Sequence, residues 1–438
     1  MLNPAWGAYA HRLVDRRGFL TASMATLGAA AWRRAPTGSL ETLTDWLKAS
    51  AGSRRRGVQS CLERIRSLDP TIHAWVEVAP QPSTGHGALA GIPYGVKDII
   101  ETRGVTTAYG SPIYSGRIGT VDAAIIRQMH DHGAVMLGKT ETTAFAYRTP
   151  APTRNPRDLA HTPGGSSSGS AAAVAVGMVP LAIGEQTLGS VLRPASFCGV
   201  TGFKPTYGLL STDGMLPLAK SLDTLGFFTH GADDMLALWN ALGYPTGRPE
   251  QFEFAAPEPI PDVDDAMATA FKNAVERVRK AGMRIRSIDI AGMLAKLSDA
   301  ANTIMNYEGA RFHEARYREY GDRLDQLAQL VRDGLQIPVE RYDETKQFIE
   351  SCRAQIGKLF ATTPVILTPA AVGPAPLGLG YTGDARMDAP WTALGTPAIS
   401  IPMPISSGLP LGLQLTAARG EDARVLRAAV SIKDLLRA

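Results

Sequence analysis

PGGSSSGSAAAVAVGMVPLAIGEQTLGSVLRPASFCGVTGFKP, residues 163–205, is the stretch whose reading decides the fold. It opens on two glycines and three serines. Ser166, Ser167 and Ser168 are placed to cap a helix whose first turn starts near Gly169. Residues 170–176 read as a short apolar helix stopped by Gly177, and residues 179–183 as a buried strand. The chain then turns through residues 184–190, and Pro194 suits the first position of a new helical turn. A serine on a tight, glycine-marked loop between a strand and a helix presents its hydroxyl beside exposed backbone N–H groups. Acyl transfer needs that pair, a nucleophile and donors for the oxyanion. A linker and a phosphate cradle are the other uses of such a loop. The GxxxxGK[ST] pattern is absent, no lysine lies between Pro163 and Phe203, and the run AAAVAVGMVPLAI demands burial. These features place the loop inside a core.

Outward from this block, strand-like and helical segments alternate. Residues 40–68 have helical spacing, and residues 72–78 alternate as a strand does. In LAGIPYGVKDI, residues 89–99, Lys97 emerges from an apolar strand. One reading is a lysine snorkelling from an edge strand. The other, given the serine loop, is a desolvated lysine kept partly neutral as a proton acceptor. Residues 122–132 form an amphipathic helix, 134–139 a strand, and 140–146 the start of another helix. Further on come helices over 232–242 and 263–281, a strand over 284–290, and a nearly continuous helical region over 298–360. Strands over 364–369, 397–404 and 411–415 close the chain. No Pro/Ser linker, charge run or fixed-period repeat divides it. The 438 residues, 45% hydrophobic and 20% charged, predict one large α/β domain of ordinary globular composition with a helical, cap-like region over about 295–360.

The N-terminus has a different character. DRRGFLT at residues 15–21 precedes the apolar LTASMATLGAAAW, and Ala29, Ala30 and Ala31 supply small residues behind it. Basic residues, a short apolar region and small residues give residues 1–35 the layout of a cleaved twin-arginine export signal, with residues 36–438 as the mature domain. The apolar segment is shorter than the ~20 residues of a membrane span, so a stable membrane anchor is not expected. The reading implies export machinery as a partner of the precursor and a periplasmic destination; a surface helix and a cytoplasmic protein are the alternative. Residues 1–35 hold Arg12, Arg16, Arg17, Arg33 and Arg34 against Asp15, which accounts for the whole formal charge of +4. The remainder is formally neutral, and with no basic patch interleaved with aromatics nucleic acid is not an expected partner. Cys61, Cys198 and Cys352 are odd in number and lack ligand spacing, which indicates free buried thiols rather than a zinc site or a disulfide framework.

Several motifs together resemble the amidase signature family: PGGSSSGSAAAVAVG, the GEQTLGSVLRP and FCGVTGFKPT runs that follow it, and GIPYGVKD at residues 91–98. Asn155-Pro156, SLDTLG at 221–226, LTP at 367–369, GTPAISIP at 395–402 and GLPLGLQL at 408–415 fit as well, so the resemblance runs from about residue 40 to the C-terminus. It implies a mixed central β-sheet surrounded by helices. It also implies a Ser–Ser–Lys triad of Ser190 as nucleophile, Ser166 after a cis Gly165–Ser166 peptide, and neutral Lys97 as base. Backbone N–H groups of Thr187, Leu188, Gly189 and Ser190 would form the oxyanion hole, with no metal or organic cofactor. Where the common pattern reads GTDTGGSIR, this chain has Glu185-Gln186, then Leu188 for the first glycine, and Leu192 ahead of Arg193. Gln186 with the SVxRP arrangement resembles a malonamidase-like branch. Leu188 is expected to narrow the acyl pocket, or to be strained if the loop needs φ > 0 there. Arg193 offers a bidentate site for a substrate carboxylate or pairs with a protein carboxylate. A compact cap over a rather small pocket is expected. The implied function is hydrolysis of a small carboxylic amide to acid and ammonia or amine through an acyl-serine. The alternatives are a catalytically weak binding protein on the same fold and a cytoplasmic amidotransferase A-type subunit. Homodimer formation stays open.

Overall fold

The computed structural model describes residues 40–248, 250–405 and 408–436; the export-signal reading of residues 1–35 lies outside them. The strands are β1 (Trp75–Val78), β2 (Pro93–Lys97), β3 (Val135–Thr140), β4 (Leu181–Gln186), β5 (Thr201–Lys204) and β6 (Thr224–Thr229). They continue as β7 (Phe254–Pro257), β8 (Ile285–Ile288), β9 (Val365–Pro369), β10 (Ala398–Pro402) and β11 (Gly412–Thr416). All join one sheet in the order β1-β3-β2-β4-β6-β5-β10-β11-β9-β7-β8. β2 runs parallel to both β3 and β4, β7 runs parallel to β8 and β9, and the remaining neighbours are antiparallel. The sheet is therefore mixed. β2, β4, β6 and β9 are buried at every position, so the polar ends of β2 and β4 must find partners inside, whereas the edge strand β8 turns Arg286 and Ser287 to solvent.

Helices cover both faces. They are α1 (Leu43–Lys48), α2 (Ala51–Ile72), α3 (Ala124–Asp131), α4 (Ser168–Ala175), α5 (Leu192–Cys198) and α6 (Ala232–Ala241). The second half holds α7 (Asp265–Lys280), α8 (Ala291–Tyr320), α9 (Gln326–Leu335), α10 (Val339–Thr362), α11 (Ala389–Leu394) and α12 (Asp422–Ile432). The helical region expected over 295–360 is α8–α10. Helix α4 is buried at all eight positions, and only small side chains let it lie this deep against β2, β3 and β4. At Gly169 a Cβ would stand 2.2 Å from the Ala74 carbonyl oxygen and 2.4 Å from Glu141 N, so no other residue fits there.

Four local expectations change. Lys97 is not on an edge: β2 is sandwiched between β3 and β4, and Lys97 is fully buried. β4 starts two residues late and runs on through Glu185 and Gln186, because Leu225 and Thr224 of β6 pair with them. The sharp turn is thus confined to residues 187–191. Residues 140–146 make a single 3₁₀ turn (Ala144–Ala146) with Phe145 and Ala146 at positive φ, because the Thr143 N–H is drawn onto the Ser166 carbonyl and the Phe145 N–H onto that of Tyr109. The three serines do not cap α4. Ser167 Oγ donates to the Glu185 carbonyl at 3.2 Å, Ser168 Oγ donates to the Gly164 carbonyl at 2.8 Å, and the Glu141 carbonyl accepts from the Gly169 N–H.

Candidate active site

The end of β2, the loop ahead of α4 and the turn after β4 meet at the floor of one cavity of about 600 Å³. Ser166, Leu188, Ser190 and Arg193 line its inner part. Tyr381 and Arg386 stand at its rim with Asn302 and Asn306 of α8. This volume is in the middle of the range for small-molecule sites, larger than the small pocket a compact cap suggested.

Lys97 donates to Ser166 Oγ at 2.6 Å and to the Glu185 carboxylate at 2.9 Å, with the Glu185 carbonyl at 3.3 Å. Burial holds the Lys97 amine below the usual lysine range, and the Glu185 charge opposes that shift. The peptide before Ser166 is cis, as the resemblance implies. Ser166 and Ser190 share the cavity floor, and no hydrogen bond joins their hydroxyls among the described residues. The backbone N–H groups of Thr187, Leu188, Gly189 and Ser190 have no protein acceptor among the described residues. Four such groups on one turn beside a serine hydroxyl are the donors an oxyanion hole requires. Leu188 does not have the positive φ that would strain a leucine; it keeps ordinary backbone and projects into the cavity lining. At Gly189 a Cβ would meet Asp388 Oδ2 at 2.5 Å, so the turn passes closest to its support there.

Gln186 fastens the turn. Its Oε1 accepts from the N–H groups of Val191 at 2.9 Å and Leu192 at 3.1 Å, and its Nε2 donates to Thr392 Oγ1 at 3.0 Å. Thr392 in turn donates to the Leu188 carbonyl at 2.9 Å. The sequence marked Gln186 as a departure from the common pattern but assigned it no task, and Thr392 carried no signal, since the contact spans more than 200 residues. Arg193, buried on α5, donates through Nη2 to the Gly165 carbonyl at 2.6 Å, on the cis peptide itself. Its Nε has no partner among the described residues, and burial lowers its pKa against the pull of Asp388. No ion pair joins Arg193 to a carboxylate among them either; Asp388 is buried with both oxygens unpartnered and its acidity weakened by that burial. Arg193 therefore braces the loop and also faces the cavity. Glu185 and Asp223 were missed as site residues. Glu185 carried no signal, since the sequence put it in a turn and only its pairing with Leu225 makes it a strand residue.

The amidase family model matches residues 56–426. The A-type subunit of glutamyl-tRNA(Gln) amidotransferase from Thermotoga maritima is 30% identical over 90% of this chain and 94% of its own length. Its counterpart from Thermus thermophilus is 30% identical over 86% of this chain and 92% of its own. Among solved structures, an amidase superposes with a TM-score of 0.78 at 26% identity, covering 86% of this chain and 95% of its own. A protein from a vestigial complex tied to the origins of an s-triazine catabolic enzyme superposes at 0.79, with 26% identity over 90% and 98% of the two chains.

Proposed function

The chain belongs to the amidase family, enzymes of the amide C–N bond, and on that premise we propose that it hydrolyses a small carboxylic amide to acid and ammonia or amine through an acyl-serine. The observation that carries the reading is the 2.6 Å contact of buried Lys97 with Ser166, on the floor that also holds Ser190 and its unpartnered N–H groups. Ser190 Oγ attacks the amide carbon while its proton passes to Ser166 and the Ser166 proton to the lone pair of Lys97. The carbonyl π electrons move to oxygen, where the N–H groups of residues 187–190 receive the charge. On collapse the proton returns from Lys97 through Ser166 to the leaving nitrogen, and water repeats the sequence to free the acid.

Arg193 at the cavity floor and the polar rim support an acyl or amine portion that carries a free carboxylate, and this agrees with the malonamidase-like motif details. Leu188 supports a short acyl chain. The two serines, the lysine and the turn of unpartnered N–H groups speak against a binding protein. Ammonia release from a panel of small amides, with and without a carboxylate, tests the activity. Trapping should place the acyl adduct on Ser190, and Ser190→Ala should lose roughly 10⁴-fold or more in rate with its fold intact. An adduct on Ser166 overturns the assignment.

A second reading draws on the amidotransferase relatives, which their name describes as subunits. Turnover of small amides by the isolated chain favours the hydrolase; ammonia release only in the presence of further subunits favours the other. For the precursor, the RR pair supports twin-arginine export, and a reporter fused to residues 1–40 should stay inside the cell when Arg16 and Arg17 are both changed to Lys. Unchanged export rejects that route.

A further inference from the structure

A second chain of polar groups meets Lys97 on the side away from Ser166, passing through Thr187 beside the cavity. Glu185 Oε2 faces Lys97 Nζ at 2.9 Å, and its Oε1 accepts from Thr187 Oγ1 at 2.8 Å. The same hydroxyl lies 2.7 Å from Asp223 Oδ1. A hydroxyl has one proton, so Thr187 donates to only one of these carboxyls, and the other contact is a hydrogen bond only if that carboxyl is itself protonated. Asp223 is buried; burial and the nearby Glu185 charge raise its pKa, while the Leu218 and Ala219 N–H groups on its oxygens pull it down. Glu185 is almost fully buried, with its Oε2 on Lys97 Nζ.

The proton count at Lys97 gives Glu185 its role. As the neutral amine, Lys97 donates two N–H bonds to the Glu185 carboxylate and carbonyl, and its lone pair is left pointing at Ser166. As the ammonium, it donates to all three. Both states fit one set of contacts, so no heavy atom needs to move when the proton arrives. The carboxylate meets the new positive charge at the moment the oxyanion forms.

We propose that Glu185 is a positioning residue of the acyl-transfer relay, orienting Lys97 toward Ser166 and supplying the counter-charge when Lys97 takes up the proton released by Ser190. It acts as the carboxylate of a Ser–His–Asp triad acts on its histidine. The proposal rests on the Ser190–Ser166–Lys97 reading above. The charged groups acting on Lys97 are Glu185 of β4 and Asp223 ahead of β6; the neighbouring buried cation, Lys139 of β3, is engaged by Ile100, Thr107 and Asp98. Removing the Glu185 charge favours neutral Lys97, so the acid limb moves to lower pH, while loss of the counter-charge lowers the plateau.

The test uses the mature chain and a fluorophosphonate, whose P–F bond is replaced by a P–O bond to an activated serine with loss of fluoride. The rate of labelling is followed from pH 5 to 10, and the adduct is mapped by mass spectrometry. In Glu185→Gln, which keeps shape and an acceptor, the acid limb should fall by about 1–3 pH units, and the plateau by about 10-fold or more. Glu185→Asp, with its charge drawn back by one methylene, should lie between Gln and wild type. A Glu185→Gln profile that superimposes on wild type in pH, whatever its plateau, overturns the proposal. Should Glu185→Gln lack a cooperative thermal transition, Glu185→Asp decides, and coincidence with wild type in limb and plateau overturns it equally. Failure of the underlying reading looks different: wild type labels at a residue other than Ser190, or Ser190→Ala still labels.

Discussion

Lys97 and Lys139 lie one strand apart, on β2 and β3, and neither exposes any surface. Burial lowers the pKa of both, that of Lys139 to about 8. Their surroundings differ in one respect. Lys139 donates to the Ile100 carbonyl and to Thr107 Oγ1, with Asp98 at 3.8 Å, and all of these belong to the segment that follows β2. Lys97 has its carboxylate too, but its third contact is a serine on the wall of a cavity. A buried lysine is therefore not a catalytic signal by itself. It becomes one where a hydroxyl joins it to space that a substrate can enter.

Removing each amine should separate the two. Lys97→Met should lose roughly 10²–10⁴-fold in amide turnover per folded molecule at every pH, beside a stability loss of about 3–5 kcal/mol for leaving Glu185 without its buried partner. In wild type the rate should rise as Lys97 loses its proton, so the acid limb of the pH–rate profile should fall below the ordinary lysine value of ~10.4. Near wild-type turnover in Lys97→Met breaks the comparison. Lys139→Met should share the stability loss and keep its turnover. Loss of a buried partner of Asp98 should cost about 3–5 kcal/mol in chemical denaturation, while turnover per folded molecule stays within a few-fold. A large loss of turnover without loss of stability would make Lys139 part of the chemistry.

Arg193 sharpens the contrast, since it both braces the Gly165 carbonyl and faces the cavity. Arg193→Gln should weaken KM for a carboxylate-bearing amide by roughly 1.5–3 kcal/mol, and leave a neutral amide of equal size much less affected. Equal losses would reduce Arg193 to its brace. The smallest effect belongs to Leu188. Leu188→Ala should open the inner cavity and improve kcat/KM for longer acyl amides by about 10-fold, the scale of one or two methylenes in a pocket. Efficient cleavage of long acyl amides by wild type would show that Leu188 does not close it.

The sequence by itself determined the fold class and the identity of the three residues proposed for the chemistry. Glycine, serine and alanine crowd residues 163–177 because a helix this deep admits nothing larger, and that crowding is visible without coordinates. Lys97 was visible as a charge at the end of an apolar strand. The sequence did not determine where β4 ends, what the serines bond to, or what stands behind Lys97. Those follow from pairings between distant segments: β6 extends β4 far enough to make Glu185 a strand residue, and Thr392 reaches the turn that carries Ser190 from about 200 residues away. Whether a buried charge is catalytic depends on which hydroxyl or carbonyl it meets, and only the tertiary structure brings those partners within hydrogen-bond reach.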